Sequence, residues 1–121
     1  MATVQVQGID IHVREQGQGP PVLFLHGNPD SGAVWDQVGA LMAPQFRCIA
    51  PDLPGFGESG PGDKFDPALA NLAQFVHELI LALDLTTPVN LVVHDIGGPF
   101  GLALAVRFPE EVGPIGILNT I

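Results

Sequence analysis

A carboxylate stands at an unusual place in the stretch "NLVVHDIGGPFGLALAVRF", residues 90–108. Asp95 ends an apolar run and precedes a glycine-rich, almost wholly apolar segment with helical spacing. Taken alone, an Asp at such a junction reads as a helix N-cap, because its short side chain accepts from the first free amides of a helix. The other reading is chemical. A nucleophile raised on a sharp strand-to-helix turn needs small neighbours, since the turn residue is strained and other backbones crowd it. Gly97 meets that need two residues after Asp95, while Val93, two residues before, is bulky. The start of a helix also stabilises negative charge, on the carboxylate or on a departing anion.

Two further segments bear on the choice. "HGNPDS", with His26 and Asn28, and "PDLPGFGES", with Asp52 and Glu58, each follow a short apolar run. Individually they read as turns: Asn28 as an Asx-turn residue, Asp30 and Asp52 as turn or capping residues, Glu58 as a solvated side chain. Jointly they mean more, because ligands of parallel α/β sheets bind outside the carboxyl ends of the strands. All three segments fall there.

The elements that must position them follow from the pattern. "TVQVQ" and "DIHVRE" alternate and are joined at Gly8, which predicts a β-hairpin at a sheet margin. "PPVLFLHG" is a continuous apolar run, as in a strand buried on both faces, and "SGAVWDQVGALMAP" has helical spacing through Val34, Trp35, Val38, Leu41 and Met42. Strand then helix repeats in "FRCIAPDL" with "DPALANLAQFVHELILALDL", and in "VNLVVHD" with "IGGPFGLALAVRF". "GPIGILNTI" reads as a last strand. This order predicts one α/β domain over residues 1–121, with a mainly parallel sheet, an N-terminal antiparallel hairpin and helices on both faces. The segment after Asp95 carries no polar side before Arg107, so it is expected to be buried all round, with Gly97, Gly98 and Gly101 allowing close approach to the sheet.

In this order and at these spacings, "HGNPDS", "APDLPGFGES" and "VVHDIGGPFGLALA" resemble the N-terminal half of an α/β-hydrolase. An Asp at the elbow resembles the haloalkane dehalogenases and the epoxide hydrolases within that superfamily; "HGNP" and "LNT" are closest to the dehalogenases. The resemblance implies that Asp95 is a nucleophile that becomes an alkyl ester, and that the backbone amides of Asn28 and Ile96 form the oxyanion hole. It also implies a halide contact for the Asn28 side chain. Those families usually carry Trp, an N–H donor to halide, where this chain has Ile96, so halide stabilisation would rest on Asn28 and backbone amides. The resemblance further implies a general base, a His after the last strand, together with a cap over the pocket and two more strands; these lie outside the 121 residues. None of the four histidines substitutes: alternation turns His94 away from Asp95, His26 shapes the loop after its strand, His12 lies on the hairpin and His77 on a long helix. A module that is non-catalytic alone, or one subunit of a split protein, is the competing reading.

Composition narrows the partners. Four Lys+Arg against 13 Asp+Glu give a net charge of −9 with no basic cluster, which disfavours nucleic acid and anionic membranes. A single cysteine, Cys48, fits a reducing, cytoplasmic setting and reads as a buried small hydrophobe, while Trp35 reads as core. No signal sequence or membrane span is apparent. A small-molecule substrate is expected, with no cofactor and no metal. The apolar final strand, with only Pro114 to discourage pairing, predicts self-association or a second chain through Pro114–Ile121.

Overall fold

A computed structural model describes residues 2–121. Six strands form one sheet: β1 (Ala2–Val6), β2 (Ile9–Gln16), β3 (Pro21–Leu25), β4 (Arg47–Pro51), β5 (Val89–Asp95) and β6 (Val112–Thr120). Their spatial order is β1-β2-β4-β3-β5-β6. β1 and β2 are antiparallel, joined through Gln7 and Gly8, both at positive φ as a two-residue hairpin turn requires. β2 meets β4 antiparallel, and β4, β3, β5 and β6 run parallel. The predicted hairpin and parallel sheet are both present.

β3 is buried on both faces, and its alternation divides the core. Leu23 and Leu25 enter a cluster with Leu72, Phe75, Leu79, Phe100 and Leu104, supplied by α2 (Leu69–Ala82) and α3 (Gly97–Arg107). Val22 and Phe24 point the other way, into a smaller cluster with Trp35, Cys48 and Ala50. Trp35 lies 5.1 Å from Phe24, centroid to centroid, and Cys48 is buried, which pushes its thiol pKa up. Helices therefore flank both faces, as expected.

Two expectations need correction. The segment from Ser31 begins as a 3₁₀ turn over Gly32–Trp35, capped by the Ser31 hydroxyl, and only then becomes α1 (Asp36–Met42). Val34, Val38 and Leu41 are exposed, so the apolar spacing of this stretch overstates its burial. α3 is likewise not buried all round. Val106 is 84% exposed and Leu102 half-buried, because only the Gly97–Gly101–Leu104 side faces sheet and α2.

Candidate functional site at the carboxyl ends of three strands

β3, β4 and β5 are adjacent and parallel, so the loops that follow them emerge side by side. The first two loops are fastened to each other by buried polar groups. His26, fully buried, takes the N–H of Leu53 on Nε2 at 2.9 Å and donates from Nδ1 to the Gly27 carbonyl at 2.7 Å. Those partners fix a neutral imidazole, and burial lowers its pKa. Asp52, also buried, accepts from the Gly32 N–H at 2.7 Å on one oxygen and from the Glu58 N–H at 2.9 Å on the other. The Ser59 hydroxyl donates to its carbonyl. The turn readings of Asp52 and His26 hold, and Asp52 does more than a turn residue: it joins the loop after β3 to the loop after β4.

Asp95 ends β5 differently. Its φ is +52°, a left-handed conformation uncommon outside glycine. The parallel register slips here, from His94 opposite Leu118 to Asp95 opposite Thr120, leaving Asn119 as an extra residue also at positive φ. α3 starts at the next turn with Ile96 at its N-cap and no side chain capping it. The Asp95 carboxylate instead leans across to the loop after β3, where Oδ2 accepts the Asn28 N–H at 3.0 Å. The amides of Asn28 and Ile96 both hydrogen-bond the carboxylate and lower its pKa below the ordinary 3.8, with a smaller contribution from His94. The structure thus brings together Asp95, Asn28 and Ile96. The Asn28 side chain is exposed.

Close backbone approach makes this convergence possible. A Cβ on Gly27 would sit 2.6 Å from that of Asp95, and one on Gly97 would collide with the Leu25 carbonyl. The bulk of Val93 is accommodated across the interface: its Cγ1 lies 2.6 Å from where a Cβ of Gly101 would be. His94 turns the other way, into a hollow of about 430 Å³ shared with Val34, Trp35, Ile117, Leu118 and Asn119, with Nδ1 2.9 Å from the Leu118 carbonyl. The remaining histidines are distant in role. His12 is 3.3 Å from Glu58, and His77 pairs with Glu111 while stacking on Phe108.

The residue-by-residue reading missed one contact. Thr120 Oγ1 lies 2.9 Å from the main-chain carbonyl of Asp95. "LNT" resembles other sequences, and nothing in it announces which backbone group the hydroxyl meets.

Comparison with known proteins agrees with the fold. Residues 20–120 match the family described as alpha/beta hydrolase fold. A haloalkane dehalogenase of Agrobacterium fabrum is 37% identical over 114 residues, which is 94% of this chain and 37% of that protein. The crystal structure of a haloalkane dehalogenase from Agrobacterium tumefaciens C58 superposes with a TM-score of 0.87 at 35% identity, covering 98% of this chain and 40% of that one. An epoxide hydrolase from Vigna radiata gives 0.85 at 37% identity, covering 96% and 38%. The chain thus spans about two-fifths of the length of the relatives it matches.

Proposed function

The chain belongs to the α/β-hydrolase family, and on that premise we propose that it carries the nucleophilic half of an Asp-dependent hydrolase acting on haloalkanes or haloacids. The observation behind this reading is the Asp95 carboxylate, raised on a left-handed turn and held ionised by the amides of Asn28 and Ile96. An oxygen of Asp95 attacks the carbon bearing the halogen. The carbon–halogen bond breaks, halide leaves with the electron pair, and an alkyl ester remains on Asp95. Water then adds to the ester carbonyl, the alcohol departs and the carboxylate returns. The same two amides donate to the oxyanion of that step, a contribution of about 2.7–4 kcal/mol per donor in comparable sites. The Asn28 side chain and nearby amides would stabilise the leaving halide, since Ile96 offers no side-chain donor.

The proton released in the second step requires a general base, and none of the four histidines is assigned that role. The ester is therefore expected to persist on this chain by itself. Incubation with short haloalkanes, haloacetate and epoxides, followed by intact mass, is the test. An adduct absent from Asp95→Ala supports the proposal; no adduct from any electrophile overturns it. Epoxide opening is the second reading, favoured by the Vigna radiata likeness, and is distinguished by an adduct from epoxide without halide-forming substrates reacting. Steady multiple turnover by the chain alone would eliminate the alternative of a module that is non-catalytic by itself.

The same reading includes a partner. β6 is the last strand in the sheet order, Ile117 and Leu118 are about half exposed, and the strand carries neither Lys nor Glu. A shallow apolar hollow between α2 and α3, lined by Leu69, Ala73, Leu102, Val106 and Ile121, adjoins it. Association with a second copy or a second polypeptide through Pro114–Ile121 would cover this surface. Sedimentation over a concentration series should show association that Ile117→Lys weakens; a strictly monomeric chain indifferent to the substitution would refute it.

A further inference from the structure

The carbonyl of Asp95 has a problem that the helix beside it does not solve. In a continuing helix it would accept from the amide four residues on, but that residue is Pro99, which has no N–H. The left-handed turn also takes this carbonyl out of the regular ladder, where the register slips between His94 and Asp95. A donor is supplied from the neighbouring strand: Thr120 Oγ1 lies 2.9 Å from the Asp95 oxygen, nearer than the 3.4 Å that separates it from its alternative acceptor, the Ile121 carbonyl. Room for that hydroxyl exists because residue 98 is glycine; a Cβ there would occupy the hydroxyl's own position. Asn119, the extra residue of the bulge, is what turns Thr120 toward β5.

We propose that Thr120 is a positioning residue, whose hydroxyl pins the main-chain carbonyl of Asp95 and so holds the turn in which the carboxylate meets the amides of Asn28 and Ile96. It touches no substrate and acts only through the Asp95 backbone. Its catalytic consequence rests on the reading of Asp95 as the nucleophile, whereas its structural consequence does not.

Thr120→Val, which preserves shape and removes the donor, and Thr120→Ser, which preserves the donor and removes a methyl, separate the hydroxyl from its packing. Two readouts are taken on the folded chain, with unchanged circular dichroism as the condition. The first is the pH titration of the Asn28 and Ile96 amide resonances, which report the ionisation of Asp95. In Thr120→Val the midpoint should rise toward that of an ordinary aspartate as the carboxylate slips off the amides, and Thr120→Ser should return it. The second is the rate of Asp95 ester formation from a haloalkane, followed by intact mass. At saturating electrophile Thr120→Val should slow it on the order of 10- to 100-fold, as expected for a misplaced reacting group, with the half-saturating concentration little changed and Thr120→Ser restoring most of the rate. Should the unsubstituted chain form no ester, the nucleophile reading fails and the titration alone decides the role of Thr120. A Thr120→Val chain with the original titration overturns the positioning role, as does a pattern in which Ser is worse than Val.

Discussion

Asp52 and Asp95 sit at the carboxyl ends of β4 and β5, on the same edge of the same sheet, and both accept backbone amides from the loop after β3 or its continuation. They are engaged to different degrees. Asp52 is 2% exposed and both its oxygens are engaged, by Gly32 and by Glu58, so it has nothing to offer a ligand. Asp95 is partly exposed, occupies a left-handed conformation, and takes the Asn28 amide on one oxygen. A saturated carboxylate fixes loops; a carboxylate kept ionised at the surface is available to react. The difference lies in the backbone around each, since the residue type and its place in the sheet are shared.

Exchanging each for alanine should break the comparison most visibly. Asp95→Ala is expected to abolish ester formation altogether, because no other group occupies the turn, while leaving the denaturant midpoint nearly unchanged. Asp52→Ala should do the reverse in stability, stranding the amides of Gly32 and Glu58 in a buried site at a cost of about 2–6 kcal/mol. Chemical denaturation and intact mass measured on the same two variants check both halves. Equal loss of stability from the two would mean that Asp95 is also a structural carboxylate.

The pH dependence sharpens the contrast further. Backbone hydrogen bonds from Asn28 and Ile96 depress the Asp95 pKa below 3.8. Its folded value is thus below its unfolded one, so any stabilisation it brings is complete above the unfolded pKa and disappears as pH falls through the folded value. The reactive anion follows the same curve. Ester formation should reach half its neutral-pH rate only below pH 3.8, measured as initial rates of adduct formation. A rate that halves at or above pH 3.8 would show that the amides do not hold the carboxylate.

How far these roles were legible in the sequence differs along the chain. The hairpin, the mainly parallel sheet and the strands ending at Leu25, Pro51 and Asp95 were readable, because alternation at β2 and apolar runs at β3 and β5 are strong local signals. The convergence of Asn28 with Asp95, 67 residues apart, was legible only through the resemblance of three motifs in order, and the amide hydrogen bond that joins them belongs to tertiary structure. Helix burial was misread at Val38, Leu41 and Val106, since apolar spacing tells which face a helix could bury and not what lies against it. Thr120 escaped notice for a related reason. Its importance depends on a missing amide at Pro99 and a missing side chain at Gly98, two absences that become a site only when β6 lies beside β5.

The smallest expected effect separates side chain from backbone at Glu58. Its carboxylate is 73% exposed and lies 3.3 Å from His12 Nε2, a surface pair worth about 0–1 kcal/mol even when the imidazole is charged. Its N–H, by contrast, is one of the two donors to buried Asp52. Glu58→Ala should therefore shift the denaturation midpoint scarcely at all, by less than about 0.5 kcal/mol in free energy, as for most surface changes. Glu58→Pro deletes the amide, leaves an oxygen of Asp52 without that partner, and should cost about 1–3 kcal/mol. Because Phe56 donates its N–H to Leu53 O and the Ser59 N–H reaches Phe56 O, the turn around Glu58 is otherwise held by its own backbone. A Glu58→Ala chain as unstable as Glu58→Pro would place the weight on the carboxylate and His12, and would make the loop after β4 dependent on its surface charges instead of on the buried carboxylate beneath it.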